Sequence, residues 1–90
     1  AYVDLFIEAL ADAGVRAGLP RAMAYRLSAQ TVYGSAKLVL ETGEAPAVLK
    51  DKVCSPGGTT IEAVAALEEF GLRNAVLKAV DACVRKSKSM

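Results

Sequence analysis

Pro20 to Thr42, PRAMAYRLSAQTVYGSAKLVLET, is the stretch on which the fold turns. Proline is favoured at a first helical position, where its missing N–H would have had no partner, and nothing else breaks the run until Gly43. The pattern predicts one helix over Pro20 to about Thr42, about twice the mean length of eleven or twelve residues and roughly 35 Å long. Leu19, Met23, Leu27, Tyr33 and Leu40 share one side of it, while Ala24, Val32 and Val39 point the other way. A helix apolar on opposite sides is buried on both. Ala29, Gly34, Ser35 and Ala36 are small enough for neighbours to approach closely, so this helix is expected to be the spine of an intertwined dimer.

On the amino-terminal side, Val3, Phe6, Ile7 and Leu10 recur at three- and four-residue spacing, which predicts a helix over Tyr2 to Ala13 with Gly14 as its left-handed stop. Val15 to Leu19 then forms a short loop. On the carboxyl-terminal side, Pro46 opens a short connector helix to about Val53, with Leu49 and Val53 inward and Lys50, Asp51 and Lys52 outward. Thr59 followed by Glu62 matches a capping box, predicting a fourth helix whose Ile61, Val64 and Leu67 face the core and which Gly71 ends. A fifth, Leu72 to about Arg85, buries Leu72, Val76, Val80 and Cys83 or Val84. Apolar residues alternate nowhere with a hairpin turn between two runs, so no strand is expected. The fold class is all-α, with about five helices in one domain over residues 1–90.

Composition agrees with an incomplete core. Hydrophobic residues make up 53% of the 90-residue chain, and a chain this short buries only about 60% of its unfolded surface when it folds alone. The excess belongs against a partner subunit or a second domain. Eleven basic and ten acidic residues leave a formal charge of +1. No basic stripe suits a nucleic acid, and the cluster Arg85-Lys86-Ser87-Lys88 reads as cations at the end of a last helix and a frayed, solvated tail. Two cysteines, Cys54 and Cys83, without any histidine cannot build a common zinc site, and two lone cysteines in a helix-rich chain suggest reduced thiols in the cytoplasm. No apolar run has the length needed to cross a bilayer, and Ala1-Tyr2-Val3-Asp4 lacks the basic start of an export signal. The chain also starts without methionine and enters a helical pattern at once, as expected of a piece whose beginning lies elsewhere.

Periodicity leaves one stretch unclaimed, Cys54-Ser55-Pro56-Gly57-Gly58-Thr59-Thr60. A helix start carries N–H groups without internal partners and about half a positive charge, so it attracts anions. Gly57 and Gly58 let a ligand lie against backbone, and Ser55, Thr59 and Thr60 add hydroxyls. No lysine or arginine follows the loop closely, which suits a small carboxylate better than a phosphate. The same residues also read as a plain turn and cap, and on physical grounds alone that is the better reading, because glycine-rich turns before helices are common.

A resemblance tips the balance. Val53-Cys54-Ser55-Pro56-Gly57-Gly58-Thr59-Thr60-Ile61 resembles the signature of the pyrroline-5-carboxylate reductases, as does Asp12-Ala13-Gly14-Val15 followed by Gly18-Leu19-Pro20-Arg21. The likeness continues through Gln30-Thr31, Gly34-Ser35-Ala36-Lys37, Pro46, Leu49-Lys50-Asp51 and Ala66-Leu67-Glu68, in order, over practically the whole chain. It implies the helical dimerisation domain of the family, of the kind also found at the carboxyl terminus of 6-phosphogluconate dehydrogenases, without the Rossmann domain that binds NADPH or NADH. The implied activity is hydride transfer to the C=N carbon of 1-pyrroline-5-carboxylate, giving L-proline in the last step of proline biosynthesis. The resemblance also implies that Ser55, Gly57, Gly58, Thr59 and Thr60 hold the substrate carboxylate, with Thr60 near the ring nitrogen as the catalytic residue. Orientation is its expected part, the proton coming from substrate or water. Implied partners are a second copy in a homodimer, decamers built from dimers in some members, and the imine carboxylate; nucleic acid, membrane and metal are not expected.

Other candidates read as scaffold. Glu8 and Asp12 lie four apart but nothing is placed to shift either, so they are solvated carboxylates that Arg16, Arg21 or Arg26 can pair with. Tyr2, Tyr25 and Tyr33 are packing residues with wet hydroxyls, and Cys54 is a packing residue because hydride reduction needs no nucleophile. The competing functional class is a ligand-free helical dimerisation module.

Overall fold

The computed structural model describes all residues 1–90 and contains five helices and no strand: α1 Tyr2–Arg16, α2 Arg21–Thr42, α3 Pro46–Lys52, α4 Thr59–Glu69 and α5 Leu72–Ser89. It divides into two compact units, Ala1–Leu49 and Lys50–Met90, with the division falling inside α3.

In the first unit α1 and α2 pack as a hairpin. The turn differs from the sequence expectation. Gly14 does not end α1; it lies within the helix, which runs on to Arg16. Gly18, at φ +113°, is the left-handed residue. The Leu19 N–H donates to the Gly14 carbonyl at 3.0 Å and the Gly18 N–H to the Val15 carbonyl at 2.9 Å. These are the two bonds of a Schellman stop, which commonly includes an apolar contact from the residue after the left-handed one. Gly14 eases that contact, because a Cβ there would lie a tight 3.3 Å from Leu19 Cδ1 and 3.4 Å from Ala24 Cβ. The first glycine serves close approach and the second serves backbone conformation.

Pro20 caps α2 from just outside it, and Arg21 is the first helical residue. Arg21 Nη1 donates to Asp12 Oδ1 and its guanidinium lies 5.3 Å from the centre of the Tyr25 ring, tying the end of α1 to the first turn of α2. The hydrogen bond to Asp12 holds the Arg21 pKa above its usual value. Ala11, Ala24 and Ser28 form the seam and are the buried residues of the chain. Outside the seam the large residues of α2 are open: Met23, Tyr33 and Leu40 are 45, 60 and 83% exposed, and Leu27, at the edge of the groove between α1 and α2, is 50% exposed. Burial of α2 on both sides is therefore not achieved within one chain. Gly43, at φ +70°, ends α2 as expected.

In the second unit Gly71, at φ +84°, separates α4 from α5, and Arg73 Nε donates to Glu68 Oε1 at 2.8 Å across that corner. Helix α5 runs to Ser89, so the basic tail is helical and not frayed; Lys86 and Lys88 sit in the last turn, where cations oppose the negative end of the dipole. The residues expected to form a core here stay open. Ile61, Leu67, Leu72, Val76, Val80 and Val84 are all exposed, and Val53 lies just past α3 at 65% exposure. Their helical spacing is real, and the structure leaves them uncovered.

Candidate functional site

The segment from Cys54 to Thr60 is a turn followed directly by a helix start. The Val53 and Cys54 N–H groups donate to the carbonyls of Lys50 and Asp51 at 3.2 Å each, closing the end of α3. Ser55-Pro56-Gly57-Gly58 then makes a β-turn, closed by the Gly58 N–H donating to the Ser55 carbonyl at 3.0 Å. Proline at the second position and glycine at φ +68° at the third are the requirements of a type II turn. Gly57 is a glycine for its backbone angle.

Gly58 is the residue preceding α4, at φ −80° and ψ 175°, and no side chain caps the helix. This corrects the capping-box expectation. With Gly58 in the cap position, Thr59 is the first helical residue, so its hydroxyl is not placed as a cap. The first-turn N–H groups, which have no intrahelical acceptors, are left without a side-chain substitute. The Gly58 N–H itself closes the turn and is not one of these donors.

Of the sequence-predicted residues, Ser55, Gly57, Gly58, Thr59 and Thr60 are brought together within this turn and first helical step, and Ser55, Gly57, Thr59 and Thr60 are exposed. Glu62 contributes an acidic residue to the first turn of α4. Lys50 Nζ lies 2.9 Å from Asp51 Oδ1, and this contact holds the Lys50 pKa above its usual value. Lys50 is thus paired with its neighbour, and the polarity within the loop itself is that of hydroxyls and peptide N–H groups. Cys54 is half-buried beside the turn.

One relation was missed in the sequence. A Cβ on Gly58 would fall far inside contact distance of Ser55 Oγ and 3.2 Å from the Ser55 carbonyl oxygen. The signal was available, since the first and fourth residues of a β-turn lie within about 7 Å of each other, and a side chain held over the turn leaves no room for a second.

The architecture defines a class: an all-helical domain whose helices leave large apolar residues exposed, with one glycine-rich helix start presented at its surface. A family model described as pyrroline-5-carboxylate reductase dimerisation matches residues 1–90. The pyrroline-5-carboxylate reductase of Escherichia coli K12 is 63% identical over the whole chain, which covers 34% of that relative. Among solved structures, the 1-pyrroline-5-carboxylate reductase of Streptococcus pyogenes superposes with a TM-score of 0.96 at 45% identity, over 99% of this chain and 34% of that one. The pyrroline carboxylate reductase of Plasmodium falciparum, solved with NADP bound, gives 0.94 at 42% identity, over 98% of this chain and 34% of that one. The chain belongs to the pyrroline-5-carboxylate reductase dimerisation family, and it spans about a third of the length of the curated relatives it matches.

Proposed function

We propose that this chain is the carboxyl-terminal domain of a cytoplasmic pyrroline-5-carboxylate reductase, that it pairs with a second copy of itself, and that it supplies the receptor for the substrate carboxylate. The observation that carries the site is the uncapped start of α4, reached through a turn whose Gly57 is left-handed and flanked by the exposed hydroxyl residues Ser55, Thr59 and Thr60. Family membership supplies the chemistry. A carboxylate is the ligand such a site suits: the donors are neutral N–H and O–H groups at the positive end of a helix dipole, with no free cation built into the loop.

The activity proposed is reduction of 1-pyrroline-5-carboxylate to L-proline, in which the imine carbon receives hydride and the ring nitrogen a proton. The dinucleotide that supplies the hydride, NADPH or NADH, has no fitting cradle here. Every element is a helix, so no strand leads into a glycine-rich helix start of the kind that holds a pyrophosphate. That cofactor is assigned to the remainder of the longer protein, and NADP in the Plasmodium falciparum relative supports the assignment.

This chain then orients. Peptide N–H groups at the start of α4 and the Ser55 and Thr59 hydroxyls fix the carboxylate, and the Thr60 hydroxyl hydrogen-bonds the ring nitrogen. A serine or threonine hydroxyl is too weak an acid to be the ultimate proton source, so the proton comes from substrate or water. Fixing the ring in this way can remove several kcal/mol of barrier.

The test uses the full-length reductase that carries this domain. Thr60→Ala lowers kcat/KM by about a hundredfold, the size of a lost positioned donor, while L-proline titration shifts the amide resonances of Thr59, Thr60 and Ile61. An unaltered kcat/KM removes Thr60 from the reaction, and amides indifferent to saturating L-proline leave a ligand-free dimerisation module in place of a receptor.

A further inference from the structure

Resting on the reading of Ser55–Thr60 as the carboxylate receptor, we propose that Gly58 is a positioning residue: the space where its side chain would stand is occupied by the Ser55 hydroxyl, which is thereby held at the mouth of α4. Gly58 is not needed for its backbone angles, because φ −80° and ψ 175° are open to any residue. In this it differs from Gly57, at φ +68°. Nor is Gly58 needed as a donor to the ligand, since its N–H is bonded to the Ser55 carbonyl. What remains specific to glycine is the missing Cβ.

The geometry of that gap decides what an added methyl group would do. It would collide with Ser55 Oγ, stand tight at 3.2 Å from the Ser55 carbonyl oxygen, and meet Ser55 Cβ at an ordinary 3.6 Å. The backbone contact is relieved by a shift of a few tenths of an ångström. The collision with Oγ is relieved only by turning the serine about χ1 into another staggered well. The turn and the helix survive, and the hydroxyl leaves the place beside the residue that precedes α4. Because α4 has no side-chain cap, the Ser55 hydroxyl beside Gly58, the residue in the cap position, is free to serve an anion there. Losing it weakens the grip on an anion without touching the groups around the reacting carbon.

The experiment is a double-mutant cycle on the full-length reductase, with Ser55→Ala, Gly58→Ala and the two combined. Each single change raises KM for pyrroline-5-carboxylate about tenfold, as expected for one hydrogen bond to a charged group, with kcat, helix content and oligomer mass preserved. The pair together also raises KM about tenfold and not a hundredfold, because no hydroxyl remains to be displaced. An unchanged KM in Gly58→Ala, or independent effects that multiply in the double variant, overturns the positioning role while leaving the receptor intact. An unchanged KM in Ser55→Ala removes the receptor reading itself. Loss of the fold in Gly58→Ala that the double variant does not restore also refutes the proposal, whereas restoration by Ser55→Ala supports it.

Discussion

Replacing Leu27 by aspartate is expected to take the paired protein apart. The chain exposes 7315 Å² of surface, against about 5000 Å² for a typical folded monomer of this mass. Covering half of the difference of about 2300 Å² on each of two copies removes a similar total from water, within the range of obligate homodimers. Leu27 lines the open groove between α1 and α2 and is 50% exposed. Complete burial of a leucine stabilises by about 1.5–3 kcal/mol, so the exposed half contributes about 1 kcal/mol per copy and about 2 kcal/mol per twofold pair. A carboxylate forced into the same place costs several kcal/mol more. The sum exceeds about 4 kcal/mol, a thousandfold in the dissociation constant. Sedimentation velocity at about 10 µM, a concentration at which an obligate dimer stays paired, should give a native species of about 19 kDa, twice the 9.4 kDa chain. Leu27→Asp should give monomer with reduced helix content, and Leu27→Met should remain paired. A Leu27→Asp protein that still sediments as a dimer with the native dissociation constant would refute the argument that a partner covers this side of α2.

Three further positions each carry an expectation. Gly57→Ala places a side chain at φ +68° and should destabilise the protein by about 1–2 kcal/mol, seen as a lower denaturant midpoint with an unchanged slope. Gly14→Ala should be close to neutral, because the helix gains up to about 1 kcal/mol from losing a glycine while Leu19 and Ala24 must yield slightly. Gly14→Val, which adds two more methyl groups at that contact, should cost about 1–3 kcal/mol by overpacking. Lys50 has its pKa raised by the hydrogen bond to Asp51, so its contribution to stability is present below the ordinary lysine pKa and lost as pH rises through the raised one. The stability difference between the native protein and Lys50→Met should therefore be constant from about pH 6 to 9 and shrink only in the alkaline limb, as followed by urea midpoints across pH.

The helices themselves were legible because their punctuation is local. Pro20, Gly43, Pro46 and Gly71 mark ends wherever the rest of the molecule lies, and each falls at or beside a helix end in the structure. The errors came where two local signals competed. Gly14 and Gly18 each suit a helix stop, and the choice between them rests on whether Leu19 can lie against the helix, where the glycine at 14 leaves it room. Thr59 with Glu62 matches a capping box, yet α4 starts one residue earlier, because the β-turn from Ser55 delivers Gly58 into the capping position. In the loop, that Ser55, Gly57, Gly58, Thr59 and Thr60 lie together at a helix start was legible, and the difference between the two glycines was not. That Gly57 serves conformation and Gly58 serves space depends on a turn type and a rotamer, and the pair of letters is the same for both.

Burial was the part that one chain cannot reproduce. A periodic apolar face records every surface the helix meets in the assembled protein, whereas exposure in a single chain records only the contacts that chain makes with itself. On α2 the small residues Ala24 and Ser28 face α1 and are buried, while the large ones, Met23, Leu27, Tyr33 and Leu40, are not. Close packing inside the hairpin calls for small side chains at the seam, and the volume is carried beside and away from it. The same division appears where α4 and α5 leave Leu67, Val76 and Val80 open. Large apolar residues pointing away from a chain's own contacts stabilise nothing in that chain, and they disfavour its solubility. Their place in the sequence makes physical sense when a second surface, built largely of the same residues, meets them.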